Sequence, residues 1–270
     1  MDRELLESRF AGMGARLKVQ EGAPRNPVGG SAANLTVDVQ RDRKGEFFEI
    51  RVRPAVDLRL EVVDVQPSQR HLLLLAEEGN RKLKFVCGHD ERQWFVAAVP
   101  EDNGVATVRT ALEALKPVEV QRAQSRQRIK TEERSRRKTD AYIRQGEWFF
   151  MPASRVTVQE WLILHNEPLT RGNGSKPHIA EFCYRSGGET VYVCDRHPGG
   201  LGEVAYQKLL ATRPAAKSWA WQVMRRNPQV YVKGRVSHPD HKTIVLPGWY
   251  QVHMNTEHRS AAMQNMAFLD

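Results

Sequence analysis

The sequence predicts a β-rich α+β protein in three parts. An antiparallel β-meander, curled into a small barrel or sandwich, comes first. A basic helical connector joins it to a second α+β domain built on an antiparallel sheet. Three observations predict this. Short apolar runs recur at a spacing of roughly 10–12 residues with polar turns between them. Gly and Pro are absent from 118 to 145, where Arg and Lys dominate. From Tyr142 onward the composition changes, because that part holds all six Tyr and seven of the nine His. The expected boundaries are 1–117, 118–146 and 147–270.

Leu5, Leu6, Phe10 and Met13 fall at helical spacing, and Gly14 ends that helix. The Gly-, Pro- and Ser-rich stretch from Gly22 to Ala33 reads as a loop. Leu35 to Val39 alternates, turns through residues 41–45, and returns as Phe47 to Val52, a hairpin. Strands follow near Leu58–Val65, His71–Leu75, Lys82–Cys87 and Trp94–Val99, each bounded by turn residues. Val105, Val108, Leu112 and Leu115 mark a helix stopped by Pro117. The connector carries the acid-first pairs Glu132–Arg136 and Glu133–Arg137 at i,i+4, which favour a helix.

In the last part, strands are expected near Glu147–Met151, Val156–Leu164, His178–Tyr184, Thr190–Cys194, Val230–Val236 and Thr243–His253. Ser186-Gly187-Gly188 suggests a hairpin that places Cys183 opposite Tyr192. Helices are expected over Leu201–Thr212 and Ser218–Arg226, separated by Pro214.

The net charge of +9 narrows the function classes once it is divided. Residues 1–120 carry a net of −1, residues 121–139 a net of +6, and residues 140–270 a net of +4. The excess therefore sits in Arg122, Arg126, Arg128, Lys130, Arg134, Arg136, Arg137 and Lys138. Such a segment is either a solvated bridge or an arm for backbone phosphates. No apolar run approaches the roughly 20 residues that span a bilayer, so no membrane partner is expected. Three cysteines do not build a disulfide framework. With a charged N-terminus unlike a signal peptide, they point to the cytoplasm.

Two loops carry candidate chemistry. Ser237-His238-Pro239-Asp240-His241-Lys242 lies between two strands, and His238 and His241 could ligate one divalent metal ion. Asp240 could instead orient a histidine acting as general base, which makes His238, Asp240 and His241 the catalytic candidates. Turn chemistry with surface histidines is the plainer reading of the same residues. Thr170 to His178 holds two glycines with Arg171, Lys176 and His178, a candidate anion-binding loop that is not a Walker motif. His165, His178 and the 238–241 loop could come to one edge of the second domain. Cys183, Cys194 and His197 are a weaker zinc set, since no paired Cys-x-x-Cys exists, and His89-Asp90-Glu91 reads as a solvated turn. Nucleophile-elbow, dinucleotide and kinase signatures are absent.

The leading expectation is a nucleic-acid-binding protein, RNA before DNA, because no helix resembles a major-groove reader. It would hold phosphates through the connector and through Arg171, Lys176 and His178. The alternatives are a metal-dependent or His-based nuclease or phosphoesterase using His238, Asp240 and His241, and an adaptor with a protein partner.

Overall fold

A computed structural model describes residues 2–22, 34–100, 104–171 and 175–259. Most of the expected Gly22–Ala33 loop, and Gly172–Gly174 of the anion loop, lie outside these residues. The chain divides into two compact units. The first holds residues through Phe149, the turn 239–242 and the segment from His253; the second holds Phe150–His238 and Thr243–Val252.

The first unit opens with helix α1 (Arg3–Gly12), whose N-cap Asp2 accepts the Leu5 N–H at 3.0 Å. The helix buries Leu6 and Phe10. Strand β1 (Leu17–Glu21) follows, and the sequence reading did not contain it. Its only apolar residues are Leu17 and Val19, too few for a periodic signal. It pairs in parallel with β3 (Gly45–Val52), which in turn pairs antiparallel with β2 (Leu35–Asp42) in the expected hairpin. The meander is a second sheet, in the order β4 (Arg59–Gln66), β5 (His71–Glu78), β6 (Arg81–Asp90), β7 (Gln93–Val99). Among the described residues no sheet closes into a barrel.

Two clusters explain the run Leu72-Leu73-Leu74-Leu75. Leu72 and Leu74 pack with Phe10, Phe48, Ile50 and Cys87 on one face of the meander. Leu73 packs with Val86, Val99 and Val108 on the other, beneath helix α2 (Val108–Ala114). A sheet covered on both faces replaces polar–apolar alternation with a continuous apolar run. Each fully buried Leu contributes about 1.5–3 kcal/mol of transfer free energy.

Residues 118–146 cluster with this unit, and only the first third is helical. Helix α3 (Val118–Arg126) ends in a Schellman turn. Arg128 sits at φ +54°, Ile129 N–H donates to the Gln124 carbonyl at 2.9 Å, and Arg128 N–H donates to Ser125 at 3.1 Å. The expected longer helix stops here because an arginine, not a glycine, takes the left-handed position. The chain beyond folds around the ammonium of Lys116, which is buried and donates to the Arg134 carbonyl at 2.7 Å. Strand β8 (Ile143–Gln145) closes the stretch.

The second unit contains strands ordered β10 (Leu164–Leu169), β11 (His178–Ser186), β15 (Gln229–Ser237), β16 (Ile244–Met254) and β9 (Trp148–Pro152). A smaller sheet has the order β13 (His197–Gly202), β12 (Glu189–Cys194), β14 (Gln222–Arg226), with helix α4 (Glu203–Thr212) packed on it.

Three expectations are corrected here. No strand occupies 156–163; a 3-10 turn at Glu160–Leu162 precedes β10. Residues 222–226 form a strand paired with β12, not a helix, because the pairing satisfies a backbone whose Val223 propensity is extended. Gly187 and Gly188, at φ +71° and +81°, do not join a hairpin. They carry the chain from one sheet to the other, so Cys183 faces Leu164 and Val232 while Tyr192 faces Leu201 and Val223. A Cβ on Gly188 would meet the Arg226 carbonyl at 2.7 Å, so a tight approach to residue 226 sets the path.

Candidate metal centre

The register of β11 on β15 pairs Ile179 with Ser237, so His178 and His238 are the next cross-strand neighbours. Their rings stack with centroids 4.2 Å apart and planes 21° from parallel. The Nε2 of His238 lies 3.2 Å from the Lys176 carbonyl. A carbonyl only accepts, so Nε2 carries the hydrogen and the neutral ring keeps its lone pair on Nδ1. Three residues on, in the turn that returns β15 into β16, stands His241. His178 and His238, with His241 next in the same turn, are the candidate ligands. His178 and His241 are buried, and His238 is half-buried.

Two register irregularities, one on each side of β15, lie close to this edge. Register shifts occur between Ala180 and Phe182 and between Val232 and Gly234. Gly234, at φ +82°, receives the Glu181 carboxylate, which accepts the Arg235 N–H at 2.7 Å. Any Cβ there would stand 2.5 Å from Glu181 Oε2, so the bulge needs glycine.

The turn 239–242 has its own fixings inside the first unit. Glu91 Oε2 accepts the Lys242 N–H and lies 3.9 Å from His241 Nδ1. Gln145 Nε2 donates to the Lys242 carbonyl at 2.7 Å. Glu91 and its neighbour Asp90 also take the Arg137 guanidinium, and Arg144 reaches Asp90 at 3.2 Å. His89-Asp90-Glu91 is thus not a solvated turn: Asp90 is buried, and Glu91 supports a candidate ligand.

The other expected site residues separate into three groups. Arg122, Arg126, Arg128 and Lys130 are exposed on α3 and the turn after it. Arg136 pairs with Glu133 at 2.9 Å, Arg137 with Asp90 and Glu91, and Arg134 Nε donates to the Ile129 carbonyl at 3.2 Å. Lys138 is exposed beside the bridge that its backbone makes to Ile143. Arg171 is half-buried and Lys176 exposed, on the approach to His178. Asp240 is half-buried, and the ring stacked on His238 is that of His178, which the sequence had suggested for anion binding and for an edge shared with this loop. His165 lies four residues along β10 from Leu169, the partner of His178, and packs its ring edge on Phe182, so it stays apart. Cys194 faces His197 across β12 and β13, while Cys183 lies in the other sheet, so that zinc set does not form. Glu91 and Gln145 were missed; only their places after β6 and in β8 could have flagged them.

Three imidazoles without a carboxylate suit Zn, Cu, Ni or Fe rather than Mg or Ca. Tetrahedral Zn–N bonds of about 2.0–2.1 Å place nitrogens about 3.4 Å apart. Three protein ligands leave one position for water. No protein-family model matches the chain, and no curated protein and no solved structure resembles it significantly.

Proposed function

We propose that this protein is a metal-dependent hydrolase of phosphoesters. The stacked imidazoles of His178 and His238, with His241 three residues on in the same turn, carry the reading. A divalent ion held there would lower the pKa of bound water to about 7 and polarise a phosphoryl oxygen. Water adds to phosphorus, the ester P–O bond breaks, and the water's proton goes to the departing alkoxide. The stacked pair His178–His238 and the Lys176 carbonyl orient the ligands, and Glu91 holds His241. Lys176 and Arg171, two and seven residues before His178 in the chain, supply positive charge for an anionic substrate. Cys87, Cys183 and Cys194 are buried and not joined in disulfides, which supports a reducing compartment, the cytoplasm. Among the described residues no helix is long and apolar enough to cross a membrane.

Equilibrium dialysis with Zn²⁺ and Co²⁺ tests this, followed by hydrolysis of bis(p-nitrophenyl) phosphate. One ion per chain at micromolar metal, lost in His178→Ala and His241→Ala, is expected. Uptake that survives His178→Ala, or no uptake at all, overturns it.

A second reading is favoured by a separate observation. Arg122 and Arg126 lie one turn apart on α3, exposed with Arg128 and Lys130, and form a basic strip suited to nucleic-acid phosphates. Neutralising the four should flatten the salt dependence of RNA retention. Retention with an unchanged salt slope would remove this strip as the contact.

A further inference from the structure

The smaller sheet of the second unit carries a group of aromatic rings that no core cluster absorbs. Tyr192 on β12 and Tyr206 on α4 stack face to face at 3.8 Å, with planes 3° apart. Tyr206 meets Trp221 edge-on at 5.0 Å. Trp221, Trp219 and His197 then lie in planes within 28° of one another, with centroids 5.8 Å apart. All five rings are half-buried, and none is in the packed interior. The exposed guanidiniums of Arg196 and Arg213 rest over Trp219 at 4.5 and 5.3 Å.

The scaffold is built to keep these rings in place and open. Trp221 Nε1 donates to the Ala216 carbonyl at 2.8 Å, and the Tyr192 hydroxyl donates to Glu203. Strand β13 is His-Pro-Gly-Gly-Leu-Gly, so most of its length presents backbone without bulky side chains. Arg226 ties it down through the Gly199 and Gly200 carbonyls at 2.6 and 2.8 Å. Val223, 67% exposed, stands beside Tyr192 in the same register. From 189 to 229 six basic residues face three acidic ones.

We propose that this face binds single-stranded nucleic acid, stacking bases on the aromatic rings and meeting backbone phosphates with Arg196 and Arg213. Parallel, half-exposed rings bind any base through its π-face. Exposed cation–π contacts are weak, so the guanidiniums can turn from Trp219 to phosphate when a base takes their place. The excess of positive charge selects a polyanion over a neutral glycan or an apolar peptide. The inference names the substrate class of the proposed hydrolase and rests on that reading to this extent only.

The test is fluorescence anisotropy of labelled 12-nucleotide U and A oligomers on the full chain in EDTA, with tryptophan quenching alongside. Binding of both sequences is expected, with quenching. Trp219→Ala and Trp221→Ala should each weaken it about tenfold. Arg196→Ala with Arg213→Ala should leave the fold intact by circular dichroism and reduce the salt slope by about two. Absence of binding at low salt, or affinity unchanged in both tryptophan variants with an unchanged salt slope in the double arginine variant, overturns the inference. So does capture of a neutral oligosaccharide in place of the oligonucleotide. Binding that persists in a protein taking up no metal refutes the hydrolase and leaves this face standing. Metal uptake without oligonucleotide binding does the reverse.

Discussion

Gly88 sits in the middle of β6 with His71 opposite it on β5 and Phe95 opposite it on β7. The two rings meet edge to face at 5.7 Å above the glycine. A Cβ at this position would stand 2.4 Å from His71 Cδ2, 2.8 Å from His71 Nε2 and 2.9 Å from Phe95 Cε1. All three distances are shorter than ordinary van der Waals contact, so both rings must swing in Gly88→Ala. Such overpacking costs about 1–3 kcal/mol. The reduced entropy of the unfolded alanine chain returns about 0.4–1 kcal/mol. A net destabilisation of about 1–2 kcal/mol follows, read as a lower urea midpoint at unchanged slope. In a His71→Ala background the cost should shrink by at least about 0.5 kcal/mol, the size of coupling seen between touching residues. A neutral or stabilising Gly88→Ala, or one with the same cost in both backgrounds, would refute the ring-clash account.

Three further outcomes are expected. Burial holds the His71 and His253 imidazoles below their usual pKa in the folded state. The unfolded chain therefore binds more protons below about pH 6.5, and the urea midpoint should fall between pH 7.5 and 5.5; a flat or rising midpoint contradicts this. Glu91→Gln keeps the acceptor for Lys242 N–H but removes the charge beside His241, so metal affinity should drop about 10–100-fold by calorimetry; an unchanged affinity separates Glu91 from the site. Lys116→Ala takes the donor from the Gln124 amide oxygen and from the Glu113 carboxylate, while the Arg134 carbonyl keeps Gln124 and Tyr142, and should cost about 1–3 kcal/mol; a loss below about 0.5 kcal/mol by urea unfolding would show that water replaces it.

Much of the fold was legible because strand periodicity is a local property. Leu35–Val39 with Phe47–Val52, and the four meander strands, stand where alternation and turn residues put them. The failures share a cause. Strand β1 depends on a partner beginning some 28 residues away, and Gly187-Gly188 looks like any reversing pair until two different sheets claim its flanks. The helical reading of 127–139 failed because acid–base spacing favours a helix whereas Lys116, Tyr142 and Asp90 offer the same backbone and side chains better partners.

By itself the sequence determined that the chain is strand-rich, that its positive charge concentrates between 121 and 139, and that the turn at 237–242 carries two histidines. Only the tertiary structure decided what that turn faces. Period-two alternation tells which face of a sheet a side chain takes, but not which strand lies alongside. Pairing of β11 with β15 brings His178 onto His238, the first of the two loop histidines. The same pairing energetics spend much of the basic segment on internal partners: Arg137 on Asp90 and Glu91, Arg136 on Glu133. Net charge is a sum over residues and survives folding, whereas the charge left for a partner depends on which ions the fold has already matched.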